Sequence, residues 1–184
     1  LKAIHDLDDV TVHDLYAAYP DFLIDVKREQ DLLLAHDVIV LQHPFYWYSS
    51  PAIIKEWQDL VLENGWAYGA GGNALNGKYL LSAISTGGNH DAYKPGGRNR
   101  FPIVDLLRPF DQTAYLCGMA YLEPFVIYSG RHMEAAQLSG HAEKYRDYIT
   151  GLRDKRVSPM KHLAEGHDLS PAFTAAAKGK RHAS

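Results

Sequence analysis

The stretch Val38-Ile39-Val40-Leu41-Gln42-His43-Pro44-Phe45-Tyr46-Trp47-Tyr48-Ser49-Ser50-Pro51 decides the fold. Its first four residues form an uninterrupted apolar run, which reads as a buried strand. Beyond it, Ile53, Ile54, Trp57, Leu60 and Val61 fall at the spacing of one helical face. Ser50 can cap that helix, Pro51 suits its first turn, and Gly65 suits its end. An aromatic loop therefore sits at the carboxyl end of a strand and the amino end of a helix. In open α/β sheets that is where ligands bind. Large aromatics at a loop tip are costly to expose without a partner. Phe45, Trp47 and Tyr48 either pack the strand–helix corner or hold a flat ligand, such as a flavin ring.

Downstream of the helix comes a glycine- and aromatic-rich loop, Gly65-Trp66-Ala67-Tyr68-Gly69-Ala70-Gly71-Gly72, and then the turn signal Asn76-Gly77. Lys78 to Ser85 is a second apolar strand that runs directly into Thr86-Gly87-Gly88. Asn89 to Arg100 is polar and reads as a long surface loop. Ile103 to Leu107 and Phe110 to Cys117 read as helix interrupted near Pro109. Tyr121 to Tyr128 reads as a third strand, with Pro124 marking an edge position or a bulge. Leu138, Ala142, Tyr145, Ile149 and Leu152 define a long amphipathic helix. Upstream of Val38, Leu1 to Leu7 reads as the end of a helix and Val10-Thr11-Val12 as a short β-prone run. Asp25 suits the cap of a helix through Leu32, Leu33 and Ala35. Alternating strands and helices imply a parallel sheet covered on both faces. One α/β domain is expected over residues 1–152. Residues 153–184 are expected to form a partly disordered tail or an arm that packs on a neighbour.

The 184 residues, 46% hydrophobic and 22% charged, suffice for one soluble domain with a real core. A net charge of -3 argues against nucleic acid as the main partner. The single cysteine, Cys117, excludes an internal disulfide framework and suits a reducing compartment. No apolar run approaches the roughly 20 residues that span a bilayer. The ten histidines are scattered, without HExxH or paired CxxC, so no metal is expected.

Two loops carry the candidate chemistry. Pro44, Phe45, Tyr46, Trp47 and Tyr48 form the first. Ser85, Thr86, Gly87 and Gly88 form the second, where glycines let backbone amides approach an anionic or carbonyl edge. Consecutive strands would bring both loops to one rim. Tyr93 could hydrogen-bond a substrate carbonyl. Arg98 and Arg100, flanking Asn99, could bind the phosphate of a nicotinamide nucleotide.

These residues resemble a known family. His43-Pro44 to Ser50-Pro51, Lys55-Glu56-Trp57, Gly65-Trp66-Ala67-Tyr68-Gly69, Gly72, Leu75, Gly77-Lys78 and Ser85-Thr86-Gly87-Gly88 are similar to the flavodoxin-like NAD(P)H:quinone oxidoreductases. Within that family the similarity is greatest to the ancillary proteins of glutathione-regulated potassium-efflux systems. Asp14-Leu15-Tyr16, Tyr19-Pro20-Asp21-Phe22 and Arg108-Pro109-Phe110 share in it, and coverage runs to about Thr150. The resemblance implies a flavin site, with NADH or NADPH as electron donor and a quinone as acceptor; the flavin is FMN or FAD, and the short loops favour FMN. Phe45 to Tyr48 would hold the ring and Ser85 to Gly88 its polar edge. Tyr93 would be the substrate-facing, catalytic tyrosine. Its usual histidine partner is replaced by Arg98-Asn99-Arg100, which with Tyr68 would line the substrate side. Tyr68 would reach toward the second subunit of a homodimer.

The resemblance also implies a cytoplasmic location, or one at the inner face of the membrane through a potassium-efflux antiporter. A regulatory subunit that binds the antiporter with little turnover of its own is the alternative function. An electron-transfer flavodoxin fits less well, since those are usually more acidic. The family opens with a strand and a phosphate-binding loop that this chain lacks, and in the flavodoxin-like order that strand is central. A slot between Val10 and Val38 is therefore expected. So are roughly 25 to 35 upstream residues, the length of a strand, a loop and most of a helix.

Overall fold

The computed structural model describes residues 2–130 and 133–155. The expected tail lies almost wholly outside the described residues. The central pair of strands is β1 (Val38–Pro44) and β2 (Tyr79–Ser85), parallel and in register from Val38 opposite Tyr79 to Pro44 opposite Ser85. The expected third strand is split. β3 (Ala120–Tyr121) pairs with the start of β2, and β4 (Phe125–Ile127) pairs with its end. Pro124 lies in the break, where its missing amide costs no ladder bond.

Helices cover both faces. On one side lie α1 (Leu15–Ala18), α2 (Val26–Ala35), α3 (Ala52–Val61), α4 (Ile103–Leu106) and α5 (Arg108–Leu116). Leu33, Ile53, Ile54, Trp57, Val61, Ile103, Phe110 and Ala114 join Leu41, Leu80 and Ile84 in the larger core cluster. On the other side α6 (Ala135–Arg153) packs Tyr145, Ile149 and Leu152 on Leu81 and Ala83. The α/β sandwich with a parallel sheet is thus as the apolar runs require.

Several local expectations are corrected. Ser50 does not cap α3. Pro51 occupies that position, extended at φ -55 and ψ 149, and no side chain caps the helix. α3 ends at Val61, short of Gly65, because the chain turns at Leu62, whose amide bonds the Gln58 carbonyl. Residues 2–6 form turns rather than a helix end. Val10 to Val12 make no strand, because among the described residues no partner strand lies beside them. Leu138 is exposed, so the buried stripe of α6 begins at Tyr145. Asp25 does cap α2, accepting from the Arg28 amide.

The packing of α2 on α3 encloses a polar knot. Glu29 is buried, and its Oε1 accepts from the Tyr19 hydroxyl at 2.6 Å with the His13 Nε2 2.8 Å away. Its Oε2 accepts from Trp57 Nε1 at 2.9 Å. Burial of such a carboxyl is tolerable only when its oxygens are satisfied. Burial, and then the bond to Glu29, push the Tyr19 phenol up to about 12, so it remains a donor. Tyr19→Phe leaves part of that demand unmet and should cost about 1–3 kcal/mol in urea unfolding. A loss within measurement error would show that the knot is solvated.

Candidate functional site

Equal register at the ends of β1 and β2 places Pro44 level with Ser85. The Phe45 amide donates to the Ser85 carbonyl at 2.8 Å, so the aromatic loop and the Ser85–Gly88 loop leave the sheet side by side. Tyr46 and Ser49 then close a tight turn through an antiparallel bridge, with the Ser49 amide donating to the Tyr46 carbonyl at 2.9 Å. The two residues inside it are Trp47 at φ 50 and Tyr48 at φ 62. This mirror-image turn normally takes Asn-Gly. Two bulky aromatics in the left-handed region cost on the order of 1–3 kcal/mol each. Trp47 is 93% exposed. Strain and an exposed indole together mark a loop shaped for something other than folding.

The rest of the rim is assembled from three further segments. Phe45 is buried and meets Tyr48 and Tyr93 edge-on, at ring-centre distances of 6.4 and 6.2 Å. The Tyr48 hydroxyl donates to Asn99 Oδ1 at 3.3 Å. Tyr93 packs so closely on Gly88 that a Cβ there would lie 3.2 Å from the phenol ring. The Thr86 hydroxyl donates to the Gly88 carbonyl at 2.8 Å, and the Thr86 amide bonds Ile127 across to β4. Gly87 is exposed at the tip. The sequence reading therefore placed together residues that do meet: Pro44 to Tyr48, Ser85 to Gly88, Tyr93 and Asn99.

Three expected residues stand apart from this group. Arg98 and Arg100 are exposed, and the Arg100 guanidinium lies 5.6 Å over the Phe101 ring. Tyr68 packs on the larger core cluster, and among the described residues no ring contact or hydrogen bond ties its side chain to the rim. Its loop is tightly drawn, since a Cβ on Gly72 would fall 2.1 Å from the Tyr68 carbonyl oxygen.

Tyr128 was missed. It follows β4 directly, at the same end of the sheet, and its ring lies 5.9 Å from Tyr93 and 5.1 Å from His90. Burial, and then the neighbouring Tyr93, raise its pKa above that of an ordinary phenol, which keeps it neutral. Its place at a strand's carboxyl end was the available signal. Cys117, read as a core residue, is buried, and burial pushes its thiol up to about 11.

Among the described residues no group of His, Cys, Asp and Glu could hold a metal ion, and no helix is long and apolar enough to cross a membrane. The rim offers a flat aromatic platform, amides of a glycine loop and phenols, a set suited to a planar heteroaromatic ring with a polar edge. A family model described as the flavodoxin-like fold matches residues 1–149. The chain belongs to the flavodoxin-like fold family. It is 53% identical over 149 residues to the glutathione-regulated potassium-efflux system ancillary protein KefG of Pectobacterium carotovorum subsp. carotovorum (strain PC1), covering 81% of each chain. Among solved structures, it is 40% identical to the general stress protein 14 of Treponema denticola in complex with FMN, with a TM-score of 0.72 over 77% of this chain and 81% of that one. It is 35% identical to an NADPH-quinone reductase from P. pentosaceus, with a TM-score of 0.73 over 80% and 84%. In open α/β sheets ligands bind at the carboxyl ends of the strands, and the rim lies at that end of β1, β2 and β4.

His43, immediately before the rim, is 5% exposed and stacks at 5.8 Å on Phe110. Burial lowers its pKa below the ordinary 6.5, against a smaller opposing pull from the Pro44 carbonyl. The folded state thus holds His43 neutral while the unfolded chain protonates near 6.5. The stability this gives is present above that pH and lost as pH falls through the lower folded value. His43→Phe should flatten the pH dependence of urea unfolding between pH 7 and pH 5. Parallel curves for the two proteins would show that the imidazole is hydrated.

Proposed function

We propose that the chain is a flavin-dependent NAD(P)H:quinone oxidoreductase. The observation that carries this reading is the strained, exposed Trp47–Tyr48 turn set beside the Ser85–Gly88 loop. A protein retains such a turn where a ligand repays its cost. Trp47 and Tyr48 stack one face of the ring, Phe45 backs them, and the amides of Gly87 and Gly88 face its polar edge. Bound there, FMN would supply two-electron hydride chemistry between NADH or NADPH and a quinone. Tyr93, level with Gly88 and walled by Tyr128, holds its phenol toward an acceptor's carbonyl oxygen. Asn99, tied to Tyr48, occupies the region where related enzymes carry histidine. Arg98 and Arg100 lie where they can meet a nucleotide phosphate as it enters.

A second reading is favoured by the relative at 53% identity, an ancillary protein of a potassium-efflux system. The same fold would then dock on the cytoplasmic side of an antiporter, with little or no turnover of its own. Steady-state quinone reduction by the purified protein separates the two, since a pure docking subunit has none.

Trp47→Ala should weaken FMN binding by about 10- to 100-fold, on the order of 1–3 kcal/mol of stacking and burial. Equal dissociation constants in flavin titrations would remove the ring from this loop. Tyr93→Phe should slow quinone reduction about tenfold, roughly 1.4 kcal/mol, with flavin affinity unchanged. A loss of several orders of magnitude would make Tyr93 the principal proton donor, and no loss would move the acceptor elsewhere. The reading also requires a homodimer, in which Trp66, Tyr68 and their glycine loop meet the partner's site. Light scattering of the flavin-loaded protein at micromolar concentration should give twice the chain mass, and a monomer mass would exclude this arrangement.

A further inference from the structure

Charge is unevenly spread over the sequence. The chain as a whole carries a net charge of -3, yet residues 85–101 hold Lys94, Arg98 and Arg100 against a single carboxylate, Asp91. Lys94 Nζ lies 2.8 Å from that carboxylate and offsets it. The other rim segments, residues 44–54 and 125–130, contain no charged side chain. Arg98 and Arg100 therefore set the sign of the potential at the rim. Elsewhere Arg108, Arg146 and Arg153 each hold a carboxylate. Among the described residues neither the Arg98 nor the Arg100 side chain makes an ion pair or a hydrogen bond, and both are exposed.

The residue between the two arginines fixes their place. Asn99 Oδ1 accepts from the Tyr48 hydroxyl at 3.3 Å, and the Asn99 amide donates to the Ala92 carbonyl at 2.8 Å. A Cβ on Gly88 would lie 3.5 Å from Asn99 Nδ2. Asn99 thus stands between the aromatic turn and the glycine loop, with one arginine on either side of it in the chain. Arg100 holds this place at φ 67, in the left-handed region that a long side chain enters only at a cost. Its guanidinium lies 5.6 Å over the half-exposed Phe101 ring. α3 opens at Ala52, directly behind the aromatic loop and without a side-chain cap, so its positive end adds to the same sign.

We infer that this rim selects planar molecules that carry an anionic group, so that the acceptor is a quinone bearing a sulfonate, a carboxylate or an ionised hydroxyl beside its ring. The inference rests on the oxidoreductase reading and names the acceptor class which that reading leaves open. Donor and acceptor take turns at one face, so the guanidiniums that meet the nucleotide phosphate are free again when the acceptor enters. Their planar forks suit an oxyanion. A neutral quinone with a long hydrocarbon tail would instead need an apolar way out of the site. Asn89 to Arg100 is a polar segment, and Phe101 already carries a guanidinium over its ring. In the reaction the acceptor gains two electrons and a hydrogen as the hydride that NADH or NADPH gives up, and a proton completes the hydroquinone. The anionic substituent keeps its charge throughout. A unit charge about 6 Å from another in water changes affinity about threefold, so two arginines together give about tenfold.

The test uses the flavin-loaded protein and two probes, 1,4-naphthoquinone-2-sulfonate and 1,4-naphthoquinone. Binding of each oxidised probe is followed by quenching of tryptophan fluorescence, and kcat/KM for its reduction is measured at saturating NADH or NADPH. Each result is expressed as the ratio of the sulfonated to the neutral probe, which cancels any damage common to both. Arg98→Gln combined with Arg100→Gln should lower both ratios about tenfold. Raising the salt from about 20 mM to about 500 mM should lower them by a similar factor in the unaltered protein, because exposed charges are screened. Arg98→Lys combined with Arg100→Lys keeps the charge and should keep most of the preference. Ratios that the glutamines leave unchanged, a preference that survives salt, or lysines that behave as the glutamines do would overturn the inference. Absence of turnover with both probes would end the oxidoreductase reading, and the binding ratios, which need no turnover, would still decide whether the rim selects anions.

Discussion

Everything at the rim depends on the parallel pairing of β1 with β2 in equal register. Parallel strands start their following loops at the same end of the sheet, and equal register starts them at the same height. A shift of one residue would turn Leu41 and His43 out of the larger core and swing the aromatic loop away from Ser85. The constraint holding that register is apolar burial: Leu80, Leu81, Ala83 and Ile84 are all buried, and the two layers of helix take alternate side chains.

The parts legible in the sequence are those decided by local pattern. Val38 to Leu41 is an unbroken apolar run and Tyr79 to Ile84 is one interrupted only by Ser82, and a strand covered on both faces needs no other signal. The position of the aromatic loop followed from them. Its conformation did not, because nothing in Trp47-Tyr48 announces positive φ, which turn statistics reserve for Asn, Asp and Gly. Ser50 misled because a good capping residue preceded a proline that took the boundary itself. Tyr121 to Tyr128 looked continuous because residues on either side of Pro124 suit a strand, and only pairing with opposite ends of β2 separates them.

What escaped entirely was tertiary. Glu29 draws on His13, Tyr19 and Trp57, from separate segments, and no spacing rule links them. Tyr128 joins Tyr93 across a loop for the same reason. Both are polar or aromatic groups whose partners are set by topology. The knot has structural reach beyond stability. Trp57 is the buried anchor of α3, and α3 begins directly after the aromatic loop, so the carboxyl of Glu29 fixes the base on which that loop stands.

The turn at Trp47 and Tyr48 divides one loop into two kinds of matter. Its backbone is fixed by the Ser49–Tyr46 bond and by the Phe45 amide on Ser85. The entropy of ordering that backbone is spent during folding, before any ligand arrives. The indole of Trp47, by contrast, has almost all its surface in solvent and keeps its rotamer freedom. A platform preorganised in its main chain yet adjustable in its principal side chain accommodates flat molecules of differing outline without rebuilding the loop. On the proposed function, breadth toward planar acceptors would be a property of two side-chain torsion angles rather than of a mobile lid.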